Sequence, residues 1–595
     1  MRRISPVILG IAVFLFFVLC YPFHIHFHEQ YQLFLFSFDY FLDLAAHPGG
    51  IATWLARFLT QFFYYSWAGA AVIAFLLVAV QQVFQKILLS LDKKPAWIPL
   101  SYMLPVSLWI LLLNENYMIA AVVSLLITLT AVMLYPVNGT AQRRTLCYFL
   151  TLPFLYWIVG GVSILYVILL IIIKCTLDGR KSRKVNLLLH LLAAFVLAFA
   201  YPLLTSSLVQ YPLSKLTLGI DYYRYYYYPF YFQYIAWAVP VAVLLTYLVF
   251  PGGKDKKARL LVSVLGATLS CTAVLAGLYW FADFEKERAF AYDYHVRTEN
   301  WQVILELAEN KAPASDLELS AVNLALAKTG KMGEELFRYP QTGVEDLFPP
   351  YRRDFVTPLI TSEVFFHLGM INSAQRYTFD AMEAIPDFQK SARCYKRLAE
   401  TNIINGHYRV AGLYLKFLRQ TLFYAKWARE AQTFLDNEEQ IDSHPVWGRT
   451  RQFRYRDEML FSPEGMNSML DILYRQNSQN LMARDYLFSY MLLARDPEAF
   501  ASAFDRGSAS WKSAALGEAI PVLYQQALAL YWVQNHENFE DVPWNISEEI
   551  QTRIGKFAAS YAQYASSSSD PARLLRKEYG ATYWYYVFFT KSPRP

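Results

Sequence analysis

The first half of the chain consists of long apolar runs separated by short polar or basic stretches. A helix that crosses a bilayer core of about 30 Å needs roughly 17–25 consecutive apolar residues. The pattern therefore predicts transmembrane helices in this half. Runs of suitable length lie at 5–23, 66–85, 97–113, 117–136, 185–204, 232–250 and 260–281.

A further apolar run, 146–173, is too long for one ordinary span and has two glycines, 160–161, at its middle. Two arginines precede it at 143–144, and a basic stretch, 174–184, follows it. Because basic loops stay on the cytoplasmic side, both ends of the run belong there. We predict that the run goes out and returns as two short helices broken at the glycines, which makes about nine membrane segments.

The distribution of Lys and Arg residues among the loops predicts the orientation of these segments. With the N-terminus inside, the inner loops hold 16 basic residues and the outer loops hold three, namely Arg57, Lys215 and Arg224. This excess agrees with the positive-inside rule. An odd number of crossings then places residues 282–595 outside the cytoplasm.

Composition separates the two halves of the 595-residue chain. Charged residues make up 17% of it, below the about 25% of soluble proteins. Residues 1–281 hold 19 Lys/Arg and 8 Asp/Glu, whereas residues 282–595 hold 35 and 40. We therefore predict a transmembrane domain, 1–281, and an extracytoplasmic domain, 282–595. A lipid-like first half and an acidic second half argue against nucleic-acid binding, and five scattered cysteines argue against a disulfide framework.

The second half shows helical periodicity and no convincing alternation of the kind that strands require. A loose repeat begins at Gly330, Gly369 and Gly406, each of which follows an apolar helix and opens another. The glycines are 39 and 37 residues apart, near the 34 of a tetratricopeptide repeat. The predicted fold class is all-α: a polytopic transmembrane helix bundle followed by a helical-hairpin, tetratricopeptide-like domain. An irregular helical domain is the open alternative for the second half.

Common motifs for phosphate binding, zinc proteolysis and serine hydrolysis do not occur in the sequence, so the candidate chemistry lies in the outer loops. The loop 24–65 carries Glu29, Asp39 and Asp43 among Phe, Leu and Tyr residues. These carboxylates would suit a general base or a metal ligand beside a lipid-borne substrate. The alternative is an amphipathic helix in the membrane interface whose carboxylates face water or a cavity.

Three histidines, His24, His26 and His28, alternate just outside the first segment. An extended chain would place all three on one side, as metal ligands, whereas a helix scatters them. We expect the first segment to stay helical through these positions. Neither a metal nor another cofactor is predicted.

The three cations of the outer face suggest a second kind of site. A site that binds the phosphate of a lipid-linked donor would need residues such as Arg57, Lys215 and Arg224, and arginine suits it best because its fork matches phosphate. Two alternatives remain open. The tyrosines of the loop 205–231 are typical of an interfacial belt, and Asp221 could be the helical partner of Arg224.

The order of elements, with a long acidic first outer loop, many spans and an exported helical tail, resembles the GT-C glycosyltransferases. These multi-span enzymes use lipid-phosphate-linked sugars, and the transmembrane-and-tetratricopeptide O-mannosyltransferases among them share the overall order. The resemblance implies a catalytic acid at Asp39 or Asp43, with Glu29 as a third option. It lies in architecture and not in a motif, because the spacing of the acids differs and nine segments is fewer than most such enzymes have.

Three stretches, DYFLDLAAHPGG, FLTQFFYYSWAGA and LALAKTGKMGEELFRYPQTG, resemble an uncharacterised family of bacterial inner-membrane proteins. This resemblance covers most of the chain. It implies a location in the bacterial inner membrane, with the C-terminal domain in the periplasm.

Two functional hypotheses follow. In the first, an integral inner-membrane protein, held in the lipid bilayer, binds a partner protein or an envelope polymer through its periplasmic residues 298–565, because helical arrays present long concave surfaces. In the alternative, the chain is a GT-C-like glycosyltransferase that uses a polyprenyl-phosphate-linked sugar. The enzyme needs a cavity in which an outer-loop carboxylate meets the outer-face cations. The binding protein needs an apolar groove on the helical array.

Overall fold

The computed structural model describes residues 5–91, 95–136, 140–177, 192–219, 231–249, 256–385, 389–455, 465–507, 519–536, 538–565 and 570–590. Its regular elements are about 30 helices. The all-α fold class is therefore confirmed.

The helices of the first half vary widely in length. They are α1 (Ser5–Leu19), α2 (Pro22–Gln30), α3 (Phe38–Ala45), α4 (Gly50–Thr60), α5 (Ser66–Leu91), α6 (Met103–Leu111), α7 (Ile119–Leu134), α8 (Ala141–Val159), α9 (Ser163–Leu177), α10 (Tyr201–Ser206), α11 (Leu213–Leu218), α12 (Tyr231–Val249) and α13 (Lys256–Phe281). Short 3-10 helices lie at Gln61–Tyr64, Pro95–Tyr102 and Gly160–Val162, and a π-helical turn lies at Val196–Ala200.

The described part of the second half is also helical. They are α14 (Phe284–Arg297), α15 (Trp301–Asn310), α16 (Asp316–Lys328), α17 (Met332–Glu335), α18 (Val356–Leu368), α19 (Ile371–Glu383), α20 (Ala392–Asn405), α21 (Tyr408–Leu418), α22 (Ala425–Gln432), α23 (Glu438–Ser443), α24 (Trp447–Phe453), α25 (Met466–Gln476), α26 (Leu481–Leu493), α27 (Pro497–Gly507), α28 (Val522–Asn535), α29 (Glu548–Ala565), α30 (Pro571–Tyr579) and α31 (Tyr583–Phe589). Consecutive helices pack against each other in several pairs, among them α18 with α19 and α25 with α26.

The chain forms two compact units, and neither is one continuous stretch of sequence. Unit 1 contains Met1–Glu287 together with Ile385–Tyr395 and Leu415–Arg429. Unit 2 contains Arg288–Ala384, Lys396–Tyr414 and Glu430–Pro595. Two short segments of the second half thus belong to the compact unit of the first. The division into a membrane domain, 1–281, and an extracytoplasmic domain, 282–595, stays a prediction.

Three helical stretches among the described residues are long and apolar enough to cross a membrane: Ser66–Leu91, Leu146–Ile173 and Leu260–Phe281. The pair formed by α1 and α2, bent by 80°, would be a fourth if it is one span. The prediction of nine segments is therefore wrong for the described residues, although part of the run 185–204 lies outside them.

Helix length explains most of this difference. The run 117–136 folds as α7, whose 16 residues extend only about 24 Å, short of the roughly 30 Å bilayer core. Most of its side chains are buried within the protein. The apolar helix Ile98–Leu111 is shorter still. An apolar run indicates burial, but its composition is the same whether lipid or protein covers it.

The predicted reversal within 146–173 is also wrong. This stretch is a single candidate span, and α8 is joined to α9 by the 3-10 turn Gly160–Val162. Gly160 takes a positive φ of 63°, which ends α8 without turning the chain back. A single crossing would place the two basic ends on opposite sides of a membrane, whereas the charge rule had placed them on the same side.

The three repeat glycines mark helix ends in unit 2, as the sequence predicts. Gly330, Gly369 and Gly406 have φ values of +71°, +91° and +80°. Helices α17, α19 and α21 begin two residues after them. In the left-handed region a glycine ends a helix without the steric penalty of a side chain.

Replacing Gly369 with alanine should destabilise the protein more than the same change at Gly406. A Cβ atom at residue 369 would lie 2.7 Å from the carbonyl oxygen of Phe453, whereas residue 406 has no atom within 4 Å of that position. We expect Gly406→Ala to cost about 1–2 kcal/mol of unfolding free energy, and Gly369→Ala roughly 1–3 kcal/mol more because backbone must move. Thermal unfolding of the full chain in detergent checks this, and equal losses would contradict it.

Candidate functional site

The three histidines of the first outer loop lie on α2, and all three are buried. His24 and His28 are one helical turn apart, with ring centroids separated by 4.7 Å. His24 Nε2 lies 3.0 Å from the carbonyl oxygen of Leu112, to which the ring donates. The helix predicted at these positions is confirmed, and among the described residues no cluster of three or more His, Cys, Asp or Glu side chains is arranged to hold a metal.

Asp39 and Asp43 lie on α3, and both are exposed. Ser37 caps the start of this helix by accepting the N–H of Tyr40. Within the described part of the chain, neither carboxylate makes a hydrogen bond or an ion pair. Phe38 on the same helix is 72% exposed, so α3 presents acidic and apolar side chains outward together. A catalytic role for either aspartate stays a prediction.

Glu29 occupies a different environment from the two aspartates. Its side chain is buried, and the hydroxyl of Tyr424 donates to its Oε2 at 3.4 Å. Next to it, the amide oxygen of Gln30 accepts a hydrogen bond of 2.6 Å from Nη1 of Arg393. Glu29 therefore lies against the second half of the chain.

Among the described residues, no outer-face cation pairs with Asp39 or Asp43. Arg57 is buried on α4, and its Nη1 donates to the hydroxyl of Tyr40 at 3.1 Å. Lys215 is buried on α11, and Arg224 lies outside the described residues. The enzyme hypothesis requires a cavity in which an outer-loop carboxylate meets an outer-face cation. Asp39 and Asp43 form no ion pair with a described residue, so these two positions do not support such a cavity.

Two segments of the second half, 389–395 and 415–429, pack on the first outer loop, and we call them the clamp segments. The N–H of Leu33 donates to the carbonyl oxygen of Lys390 at 3.0 Å, and the N–H of Phe36 donates to that of Gln420 at 2.8 Å. The ring of Phe423 stacks on Tyr64, with centroids 4.9 Å apart. Sequence reasoning missed the clamp because its partners lie more than 350 residues apart in the chain.

The start of α2 is held by a buried carboxylate. Glu287 accepts the N–H of Phe23 at 2.7 Å and that of His24 at 2.9 Å. Burial raises the pKa of Glu287 to about 7, against the opposing effect of these two hydrogen bonds. The pKa of the neighbouring Glu115 is lowered. Burial acts to raise this pKa, but the ammonium of Lys286, 2.7 Å from the carboxylate, has the larger effect. No local signal in the sequence marks Glu287 as a helix cap.

Unit 2 contains a cavity of about 490 Å³, which we call the aromatic groove. Rings line it in a continuous row: Phe365 lies between Phe348 at 5.4 Å and Tyr377 at 5.3 Å, measured between centroids. The complete lining consists of Val344, Glu345, Phe348, Pro349, Pro350, Tyr351, Phe365, Arg376, Tyr377, Asp380, Met466 and Tyr490. Sequence reasoning named none of these residues, although all of them fall within the predicted binding region, 298–565.

Charges on the groove are few. Glu345 and Asp380 supply two carboxylates against one guanidinium, that of Arg376. Burial raises the pKa of Asp380 above its usual value, and Arg376 acts in the opposite direction. Flat ring faces with carboxylates beside them suit the binding of an apolar chain that carries a positive charge. The arrangement offers recognition and no obvious bond chemistry.

Comparison with known proteins gives a family without an assigned activity. Residues 1–590 match the model of a family of unknown function, DUF6057. The chain therefore belongs to that family, which agrees with the resemblance to uncharacterised proteins seen in its sequence. No curated protein and no solved structure matches it.

Proposed function

We propose that this member of the DUF6057 family is an integral membrane protein whose unit 2 binds an extended segment of a partner protein in the aromatic groove. The groove is the observation that carries the proposal. Its volume of about 490 Å³ lies in the range of about 300–1,000 Å³ that ligand sites occupy.

A peptide suits the groove better than a compact small molecule. Extended peptides dock along aromatic-lined grooves, where ring faces contact apolar or proline side chains. The row formed by Phe348, Phe365 and Tyr377 offers such faces in sequence. The carboxylates of Glu345 and Asp380 outnumber the single cation of Arg376, which favours a segment that carries Lys or Arg.

The orientation of α5 supports a location of the clamp segments and of unit 2 outside the cytoplasm. Trp67 is exposed in its first turn, and Lys86 is exposed about 29 Å along the helix axis. Trp favours the interface, and Lys favours the cytoplasmic side. The start of α5 therefore faces outward, and the clamp segments, which contact the residues just before it, share that side. Among the described helices of unit 2, none qualifies as a span. In a bacterium this side is the periplasm.

Peptide selection on the full chain in nanodiscs tests the proposal. Peptides of 12 residues enriched from a displayed library are measured by fluorescence anisotropy on wild type and on Tyr377→Ala. Because truncating an aromatic anchor at a binding site commonly costs more than 1 kcal/mol, we expect binding to weaken about tenfold. Charge recognition is tested by the double change Glu345→Gln and Asp380→Asn, which should weaken Lys- or Arg-bearing peptides selectively.

Phe379 provides the matched control, because it is a partly exposed aromatic residue on the same helix and does not line the groove. Phe379→Ala should leave peptide binding unchanged. The proposal fails if no enriched peptide depends on Tyr377. It also fails if chitotetraose, a probe for sugar polymers, binds in a Tyr377-dependent manner while the peptides do not.

A further inference from the structure

Large apolar side chains remain exposed on unit 1 near the start of α5. Phe38 is 72% exposed, Trp67 60% and Phe36 54%. Leu42, Tyr65 and Leu422 are each exposed by more than two fifths. Contiguous exposed apolar surface of this kind marks an interaction site.

Ring contacts join Phe36 to the clamp segment 415–429. Phe36 lies 6.3 Å from Phe58, which lies 5.7 Å from Phe62. Phe62 in turn lies 6.3 Å from Phe423. Leu422, which belongs to a clamp segment, is the neighbour of Phe423 in the chain, so the surface includes residues from both halves of the sequence.

The surface lies at the depth where α5 would enter a bilayer. Phe423 is 5.5 Å from Tyr65, and Tyr65 stacks on Trp67 at 6.3 Å, all measured between ring centroids. Each interfacial layer of a bilayer is about 5–8 Å thick, and Trp and Tyr accumulate there. Phe423, one ring contact from Tyr65, is therefore close to the level of that layer.

We infer that Phe36, Phe38, Leu42, Tyr65, Trp67 and Leu422 form a lipid-contacting collar, through which the second half of the chain touches the outer leaflet at residue 422. The occupant of this surface is the phospholipid interface. Helix α3 suits it because a short amphipathic helix lies in the interface plane, and the exposed carboxylates of Asp39 and Asp43 can face water there. The inference depends on α5 as a span and is independent of the aromatic groove.

The consequence concerns the clamp segments. If Leu422 lies in the lipid interface, the second half is attached to the membrane at a point far in sequence from the end of α13. The clamp segment 415–429 would then be held between the first outer loop and the lipid surface, in addition to its covalent connection to the spans.

Fluorescence quenching tests the collar in the full chain. An environment-sensitive fluorescent amino acid is placed at Leu422 or, as the control, at Leu481, a residue of unit 2 that is 53% exposed. The protein is reconstituted in phosphatidylcholine vesicles that contain a nitroxide-labelled lipid. We expect several-fold stronger quenching at residue 422 than at residue 481.

Two outcomes would overturn the inference. The first is equal quenching of the labels at residues 422 and 481 by the nitroxide-labelled lipid. The second is quenching of the label at 422 in these vesicles that is no stronger than its quenching by a water-soluble nitroxide in detergent without labelled lipid. A second variant guards against local misfolding. Leu422→Trp retains an apolar side chain at residue 422, so this variant should keep the wild-type melting temperature. A fluorescent label at Leu42 in this variant should be quenched as strongly as the label at residue 422 is in the otherwise unchanged chain. An unquenched label at Leu42 would also contradict the collar.

Discussion

Replacing Arg397 with methionine is expected to lower the free energy of unfolding of unit 2 by about 3–5 kcal/mol. The guanidinium is held between two carboxylates, with Nη2 2.5 Å from Glu363 and Nη1 2.9 Å from Glu400. It also covers the ring of Phe366 at 3.7 Å. All three charged side chains are largely buried, so removing the cation takes the guanidinium charge away from two carboxylates that are largely out of water.

The measurement is the melting temperature of the full chain in detergent, where a loss of this size corresponds to roughly 10 °C. Arg352→Met is the matched control. Its ion pair with Asp316 has a similar distance, 2.7 Å, but the arginine is 53% exposed, and exposed pairs contribute little. Equal losses for the two variants would contradict the buried-charge explanation. Adding Glu363→Gln and Glu400→Gln to Arg397→Met should restore part of the stability, because the stranded charges are then removed.

The second large effect is expected at Glu287, whose replacement with glutamine should stabilise the protein above neutral pH. The pKa of Glu287 is about 7 in the fold, compared with an ordinary value of 4.5. Below pH 4.5 the carboxyl is protonated in both folded and unfolded states, and its contribution to stability is fully present. As the pH rises from 4.5 through 7, the unfolded state ionises first, so stability is lost, by about 3 kcal/mol in total.

Glutamine has the shape of the neutral carboxyl and keeps an oxygen that can accept the N–H of Phe23 or His24. Glu287→Gln should therefore match wild type near pH 5 within about 1 kcal/mol and exceed it near pH 8 by about 2–3 kcal/mol. Unfolding is followed at both pH values in detergent. Glu287→Ala should destabilise the protein at both, because it removes the carboxylate that accepts the N–H groups of Phe23 and His24 at the start of α2.

Glu306→Gln serves as the control for this series, because Glu306 is an exposed carboxylate. Its stability difference from wild type should not change between the two pH values. A constant difference for Glu287→Gln as well would show that the carboxyl at 287 does not titrate in this range, and the explanation by burial would be wrong.

The local features of the fold could be predicted from the sequence. Glycines after apolar helices predicted the left-handed turns at Gly330, Gly369 and Gly406, which the structure confirms. The expectation of helix at His24 to His28 was also right, although the first segment breaks after Leu19 and these residues lie on α2, bent by 80° from α1. These features depend on interactions within about one helical turn, which a short window of sequence contains.

The candidate site was less accessible from the sequence. Asp39 and Asp43 were selected because they are acidic residues in an apolar loop, and the structure shows both of them exposed, whereas Glu29 is buried. A charged residue in an apolar stretch marks an unusual position in the sequence, but it does not show which residues surround that position in the fold. The aromatic groove escaped notice because Phe348, Tyr377 and Tyr490 are ordinary aromatic residues of separate segments, and only packing brings their rings together.

The sequence by itself determined that this protein is helical, that it has membrane-spanning candidates, and where several of its helices end, because these properties follow from local hydrophobic periodicity and backbone sterics. The tertiary structure alone decided which apolar helices are long enough to cross a bilayer, that 146–173 runs on through its glycines, and that residues 389–395 and 415–429 join the first half of the chain. Those outcomes depend on contacts between residues far apart in sequence, whose pairing no local pattern encodes.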